Sequence, residues 1–413
     1  MNLPLRLFRT TLRNSHDFLA ILFKIVVEVR GEKIYLIDME RFQKKQIIKD
    51  LEKKVVLLSG PRQSGKTWLA LDIKKEFPNS VYLNYDHAED REIIKNESWL
   101  PDTDLVILDE LHKMQEWNNY LKGLYDTKNS RLKILVTGSA RLDVFMKSGD
   151  ALPGRFFKHR LLPLSYKECL SAGLPENGLL KKLIKRGGFP EPFLSENTED
   201  ASRWRMQYLE GVLKTDVFDF HKYLDLKSLG VVTEILRQRV GAPASYSSIA
   251  RDAQISPNTV KKYMTLLENL YIIFRIYPHA REIARAMKKE PKVYFFDNGM
   301  VKNGDGAAFE NMIAVSLLKN VFYKRDVKGI DSELRYIRTK DKEEVDFCEL
   351  VDGRPVRLIE TKITGPNPGK TIYRFKEKLG IEGCGVFLDI KREKLMNGLQ
   401  LLEAGHFLRS LEI

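Results

Sequence analysis

The sequence predicts an α/β chain organised on a parallel sheet, and three observations carry that prediction. Short apolar runs at Val55-Val-Leu-Leu58, Ser80 to Asn84, Leu105 to Leu108 and Lys133 to Val136 read as strands, the first fully buried and bounded by Gly60 and Pro61. Helical stretches separate the runs, and such alternation closes into one sheet when the strands are parallel. The third observation is the segment after the first run, Gly60-Pro-Arg-Gln-Ser-Gly-Lys-Thr67, whose G-x-x-x-x-G-K-[ST] spacing belongs between a strand and a helix.

At 413 residues the chain can bury more than one core, and its length favours roughly two to four domains. Lys plus Arg number 69 against 56 Asp plus Glu, a net charge of +13, which favours a polyanionic partner such as nucleic acid or an anionic membrane. The alternative is that the charge serves solubility alone. Cys169, Cys348 and Cys384 form no C-x-x-C pair, which speaks against a disulfide framework or a cysteine zinc site and fits a reducing, cytoplasmic interior.

The first thirty residues are basic and apolar, and Phe18-Leu-Ala-Ile-Leu-Phe23 opens like a secretory segment. Lys24 interrupts it, the run to Val29 is too short to span a bilayer, and no small-residue cleavage site follows. Neither export nor a transmembrane segment is expected, while contact with a membrane surface stays open. Residues 1–38 read either as a native N-terminal extension or as sequence upstream of a true start at Met39.

An amphipathic helix is expected near Arg41 to Lys53, then the first strand, then a helix from about Lys66 to Phe77, and residues 39–163 form the α/β core. From Leu164 to Lys227 the pattern turns helical, with Gly187-Gly-Phe-Pro190 as a stop, and residues 164–227 read as a helical lid. Residues 228–291 hold a compact helical unit with a turn, and residues 292–413 a mixed α/β domain. Internal repeats and low-complexity tracts are absent from the sequence.

The glycine-rich loop is a phosphate site by chemistry. Gly60, Pro61, Arg62, Gln63, Ser64, Gly65, Lys66 and Thr67 are the candidate nucleotide ligands: backbone N–H groups turn toward the phosphates, Lys66 neutralises charge and Thr67 ligates Mg²⁺. The Leu105–Leu108 run delivers Asp109 and Glu110 to its C-terminal end; Asp109 would hold the Mg²⁺ of ATP through water and Glu110 would polarise the attacking water. The plainer alternative is an acidic pair that ends a strand. Thr137 or Ser139, after the Lys133–Val136 run, would sit beside the γ-phosphate. Arg155, in Pro153-Gly-Arg155, would stabilise transition-state charge in cis or from a neighbouring subunit of a homo-oligomer, or else form a surface salt bridge. Gly365-Pro-Asn-Pro-Gly-Lys370-Thr371 is one residue short of a second such loop, and Pro366 and Pro368 lack backbone donors, so it reads as a turn.

Tyr246 to Ala253 reads as a helix, and Ser256-Pro257 opens a second with an N-cap and a proline in its first turn. Val260, Met264 and Leu267 would face inward, leaving Asn258, Lys261 and Lys262 outward where a recognition helix meets a major groove, with Ile272 and Phe274 beginning a wing strand. Such a unit either contacts DNA or serves as a packing module.

Near the end, Glu343-Glu-Val-Asp346-Phe347 begins a strand, Asp352-Gly-Arg-Pro355 reverses the chain, and Val356 to Ile363 returns carrying Glu360-Thr-Lys362. Glu360 and Lys362 share one strand face, and Asp346 can approach from the partner strand. Glu310, in Ala308-Phe-Glu310-Asn311, is the candidate fourth member. Such a set can bind Mg²⁺ through Glu310, Asp346 and Glu360 while Lys362 positions or deprotonates a water for attack on a phosphodiester. The alternative is an exposed Glu-x-Lys ion pair.

Taken in order, Gly60–Thr67, Leu108-Asp-Glu-Leu-His112, Thr137-Gly-Ser139, Gly154-Arg155, Gly187–Pro190, Phe309-Glu-Asn311, Glu344-Val-Asp-Phe347 and Ile359-Glu-Thr-Lys362 resemble a prokaryotic AAA+ ATPase family. The resemblance runs from about residue 39 to the end. It implies a P-loop NTPase (AAA+) core, a winged-helix unit and a C-terminal mixed α/β domain similar to PD-(D/E)xK nucleases, the restriction-endonuclease-like fold. It also implies nucleotide roles for Lys66, Thr67, Asp109 and Glu110 and nuclease-like positions for Glu310, Asp346, Glu360 and Lys362. The leading expectation is an ATP-hydrolysing protein acting on DNA, with Mg²⁺-dependent cutting in its last domain. The rivals are a nucleotide-dependent switch or protein remodeller with an inactive nuclease-like domain, and an ATP-responsive DNA-binding regulator.

Overall fold

The structure is a computed structural model that describes residues 25–27, 35–37, 39–139, 142, 154–195, 197–220, 225–279, 289–339, 341–365 and 367–413. The apolar segment Phe18 to Lys24, Val29, Pro153 and Pro366 lie outside the described residues. A short antiparallel ladder joins β1 (Ile25–Val27) to β2 (Tyr35–Ile37). Met39 is buried, and α1 (Gln43–Leu51) follows, shorter than expected at both ends, with Ile47 and Leu51 on its inner face one turn apart.

The first sheet comprises β3 (Val55–Ser59), β4 (Ser80–Asn84), β5 (Leu105–Asp109), β6 (Lys133–Thr137) and β7 (Phe156–Arg160), all parallel, in the order β4-β5-β6-β3-β7. The connecting helices are α2 (Lys66–Lys74), α3 (Ala88–Asn96) and α4 (Trp117–Thr127). Continuous apolar runs arise because both faces are covered: on β5, Val106 and Leu108 enter one core while Leu105 and Ile107 enter the other. Strand β7 was not legible in this way. Its sequence Phe-Phe-Lys-His-Arg carries three polar residues, and among the described residues it lies at the sheet edge, paired with β3.

The region expected as a helical lid contains α5 (Tyr166–Ser171), α6 (Leu179–Arg186), α7 (Pro190–Leu194) and α8 (Thr198–Phe220). Its apolar residues do not form a core of their own. Phe189, Trp204 and Tyr208 share one continuous cluster with residues from the rest of the chain, including Leu229, Met264, Phe309, Phe347 and Phe407. The helical unit that follows is α9 (Leu226–Arg237), α10 (Tyr246–Ala253) and α11 (Pro257–Asn269). Ser245 and Ser256 cap the last two by accepting from Ser248 N and Thr259 N, and Val260, Met264 and Leu267 are fully buried. Strand β8 (Ile273–Ile276) pairs antiparallel with β9 (Lys292–Phe295), so the first strand of the segment beginning at Lys292 belongs to a hairpin with the helical unit before it.

The 25-residue helix α12 (Gly304–Lys328), about 37 Å long, runs beside both halves of the molecule. Arg160 at the end of β7 donates to both carboxylate oxygens of Asp326 on this helix, at 2.7 and 2.6 Å. The second sheet holds β10 (Ser332–Arg338), β11 (Glu344–Val351), β12 (Arg354–Lys362), β13 (Glu382–Phe387), β14 (Lys394–Met396) and β15 (Leu399–Glu403), in the order β10-β11-β12-β13-β15-β14. Strands β10, β11 and β12 are antiparallel, whereas β12, β13 and β15 are parallel, with α13 (Lys370–Leu379) making the β12–β13 crossover and α14 (Ala404–Ser410) following β15. This is the expected mixed α/β arrangement. Among the described residues no helix is long and apolar enough to cross a membrane.

Candidate functional site

Strand β3 ends at Ser59 and α2 begins at Lys66, leaving the glycine-rich loop at the C-terminal end of the parallel sheet. Gly60 has φ 144°, and a Cβ there would stand 2.3 Å from the carbonyl oxygen of Leu161, so the loop passes β7's extension too closely for any side chain. The Lys66 ammonium donates to the carbonyl oxygens of Gly60 and Pro61 at 3.1 and 2.6 Å. It is thereby held across the loop, a position in which phosphate oxygens can take over as acceptors.

Strand β5 lies inside the sheet, between β4 and β6, and carries Asp109 to the same end. The Asp109 carboxylate is 3% exposed and accepts from three hydroxyls: Thr67 Oγ1 at 2.8 Å, Tyr82 OH at 2.6 Å, and Thr137 Oγ1. Glu110 stands in the left-handed region at φ 56°, and its N–H donates to Asp109 Oδ1 and to the carbonyl of Thr137, both at 3.0 Å. Its side chain lies 3.3 Å from Lys113 Nζ and 3.6 Å from His112 Nε2. Burial, then the negative charge of Asp109, raises the Glu110 carboxyl above the usual glutamate range. Ser139 is buried with Oγ 3.5 Å from His112 Nε2. Thr137 therefore touches Asp109 directly, whereas Ser139 faces His112, which in turn lies beside Glu110.

Arg155 is not at this end of the sheet. The β3–β7 register pairs Val55 with Phe156 and Ser59 with Arg160, and Val55 N donates to Arg155 O at 3.1 Å. Arg155 thus sits at the start of the strand whose far end carries the loop, about 13 Å away at about 3.3 Å per residue. Its guanidinium is bound to Asp126 at 2.9 and 3.1 Å, the surface salt bridge of the two expected alternatives, and it does not reach its own chain's phosphate site.

One feature of the loop was missed in the sequence. Arg41, buried, donates Nη1 to the carbonyl of Ser64 at 2.9 Å, Nη2 to the carbonyl of Leu162, and Nε to Glu168 at 2.8 Å. Glu168 also accepts from Lys319 of α12, whose ammonium reaches the carbonyl of Pro163 at 2.9 Å. Burial alone would raise the Glu168 carboxyl, but Arg41 and Lys319 bring it down to about 2. A partial signal existed: Ser165-x-x-Glu168 is a capping-box pattern, and both of its reciprocal bonds are present.

The C-terminal residues Glu310, Asp346, Glu360 and Lys362 converge. Asp346 accepts from Thr361 N and Oγ1 at 2.9 and 2.8 Å, its own N–H faces Glu360 Oε2 at 3.4 Å, and Lys362 Nζ donates to Glu360 Oε1 at 3.0 Å. Helix α12 brings Glu310 in, and the Phe309-Glu-Asn311 run explains how: Phe309 is fully buried, while the Asn311 amide bonds both the N–H and the carbonyl of Phe295 on β9. Between the carboxylates stands a residue the sequence did not single out. Lys292, 1% exposed, places Nζ 2.8 Å from Glu344, 3.1 Å from Glu310 and 3.4 Å from Asp346, and Tyr294 OH donates to Glu310 at 2.6 Å. Burial and the neighbouring Asp346 push Glu310 up to about 7 and Glu360 up to about 8.

The two expected metal positions differ in how they suit an ion. Thr67 and Asp109 present hard oxygens beside the phosphate loop, as Mg²⁺ accompanying a nucleotide requires. The carboxylates around Lys292 do not fit a divalent ion as folded, because an ammonium lies within bonding range of three of them. Among the described residues no group of three or more His, Cys, Asp or Glu is disposed to hold a metal. The ammonium beside Glu310 and Asp346 weighs against the expected Mg²⁺ set of Glu310, Asp346 and Glu360 in this arrangement.

Residues 52–170 match the family described as AAA domain, and residues 177–307 match a domain of unknown function. An uncharacterized protein of Methanocaldococcus jannaschii is 26% identical over 369 residues, covering 80% of this chain and 80% of its own length. An uncharacterized protein of Mycobacterium tuberculosis is 24% identical over 308 residues, covering 73% of this chain and 68% of its own. A Walker-type ATPase of Pyrococcus abyssi is similar in structure at 15% identity with a TM-score of 0.44, covering 70% of this chain and 99% of that one. The AAA match falls on the five-stranded parallel sheet and its loop, so this part of the chain is an AAA-type P-loop ATPase fold.

Proposed function

We propose that the protein binds and hydrolyses ATP at the loop Gly60–Thr67 and uses the cycle to act on DNA. The observation that carries the nucleotide reading is the convergence of Thr67, Asp109 and Glu110 at the end of β5, with Lys66 across the loop. Mg²⁺, held by Thr67 and through water by Asp109, would supply charge neutralisation on the phosphates. Lys66 exchanges its loop carbonyls for phosphate oxygens. Glu110, with its raised proton affinity and a backbone clamped to Asp109 and Thr137, orients the attacking water, and Thr137 keeps Asp109 in place. Lys66→Ala should abolish turnover; undiminished hydrolysis in that variant would sink the assignment.

The DNA part of the reading rests on α10 and α11. The caps at Ser245 and Ser256, the buried Val260, Met264 and Leu267, and the outward Asn258, Lys261 and Lys262 suit a recognition helix, and the β8–β9 hairpin suits a wing. The net charge of +13 favours the same partner. Stimulation of ATP hydrolysis by duplex DNA tests it, and binding that ATP modulates without stimulation would favour a DNA-binding regulator instead. Cutting by the C-terminal sheet is not part of this proposal, because Lys292 stands among the carboxylates. A soluble, cytoplasmic setting accords with the reduced cysteines. A homo-oligomer is the arrangement in which Arg155 could serve a neighbour's site, and native mass measurement with and without nucleotide tests that.

A further inference from the structure

We infer that Lys292 is the resident cation of the C-terminal carboxylate cluster, filling with its ammonium the place a divalent ion would need, so that the cluster is a metal-independent clasp between the β8–β9 hairpin, α12 and β11. Three elements distant in sequence meet there: Lys292 and Tyr294 from β9, Glu310 from α12, and Glu344 and Asp346 from β11. An ammonium has three N–H donors and no acceptor, and Lys292 has three carboxylate oxygens within 3.4 Å, so the donor set is complete. The lysine is 1% exposed, which separates it from a solvated surface pair; once its partners are removed, little water is at hand to replace them.

The surrounding groups complete the balance of charge. Glu344 is also met by Arg338 at 2.9 Å, Glu360 by Lys362 at 3.0 Å, and Asp346 by the Thr361 backbone and hydroxyl. A divalent ion ligated by Glu310 and Asp346 would share those oxygens with Lys292 and face its positive charge at contact range. Binding the metal therefore requires displacing the ammonium from these carboxylates. The clasp also explains why the hairpin, which continues the helix-turn-helix unit, is tied to the C-terminal sheet. This inference is independent of the nucleotide assignment, since it concerns a cluster built from other elements.

The test is Mn²⁺ binding to the nucleotide-free full-length chain by calorimetry, for the native protein, Asp346→Asn, Lys292→Met and Lys292→Met with Asp346→Asn. The native protein should show no Mn²⁺ uptake that Asp346→Asn removes, while Lys292→Met should gain one equivalent per chain that the double variant loses again. A native Mn²⁺ site abolished by Asp346→Asn would overturn the inference, and so would a folded Lys292→Met chain that gains no site. Should Lys292→Met fail to fold, the comparison of the native chain with Asp346→Asn still decides it.

Discussion

Arg41 donates Nη1 to the carbonyl oxygen of Ser64 at 2.9 Å, so a side chain ahead of the sheet holds the phosphate loop by its backbone. The same guanidinium binds Glu168, and Glu168 binds Lys319 on α12. Lys319 and Glu310 lie nine residues apart on one helix, about 13 Å along its axis. The loop and the C-terminal clasp are thus anchored on a common element.

Glu168 is the carboxylate that keeps two buried cations together, and Glu168→Gln should destabilise the protein by about 3 kcal/mol or more, read as a lower urea midpoint. The pH dependence has a definite sign. Its folded carboxyl is depressed to about 2 from 4.5, so its contribution is fully present above the unfolded value and is lost as pH falls from about 4.5 toward 2. That window is worth about 3 kcal/mol, and the variant should show a correspondingly flatter acid limb.

Glu110→Gln should retain ATP binding while lowering kcat by about 10²-fold or more, since the amide keeps the shape but cannot accept a proton. Because burial and Asp109 raise the Glu110 carboxyl, hydrolysis by the native protein should decline on the acid side at a pH above that of an ordinary glutamate. A kcat/KM–pH profile, which reports groups of the free protein, checks the sign. An acid limb at the ordinary glutamate position would speak against Glu110 as the group responsible.

Arg155→Ala should leave stability nearly unchanged, because it removes a solvent-screened ion pair with Asp126. In dilute, monomeric protein the hydrolysis rate should be unaltered, since the β3–β7 register keeps Arg155 away from its own loop. A large loss confined to concentrated, associated protein would instead identify it as a residue supplied to a neighbour.

Lys261→Glu with Lys262→Glu should weaken DNA binding and flatten its dependence on salt, while leaving thermal stability nearly unchanged, as both side chains are exposed on α11. Fluorescence anisotropy over a salt series measures both quantities. An unchanged affinity and slope would reduce this unit to a packing module.

The parts legible in the sequence are those whose cause is local. Strands β3, β5 and β6 showed themselves as apolar runs because both faces of a parallel sheet are covered, and β4, a half-buried edge strand, was placed to its residue limits on the run Val81-Tyr-Leu83. Strand β7, at the other edge, stayed hidden because Lys158, His159 and Arg160 break its apolar run after two residues. The cap at Ser256 was likewise readable, because a serine that accepts a bond from three residues on acts within one turn. Distance through the fold was not legible: the sequence left Arg155 between a role at the phosphates and a surface salt bridge, and the parallel register sets it at the other end of β3, paired with Asp126.

By itself, the sequence determined the phosphate loop, the acidic pair after β5 and the outward lysines of α11, because each depends on spacing within about ten residues, a range over which backbone geometry alone decides what meets what. Tertiary structure alone decided that Arg41 reaches Glu168, 127 residues away, that Glu168 reaches Lys319, 151 residues away, and that Lys292 enters the carboxylates of two other elements. No local period encodes those meetings. They follow from how α12 and the β8–β9 hairpin pack, where each buried charge must find its partner among whatever groups the shared core brings near.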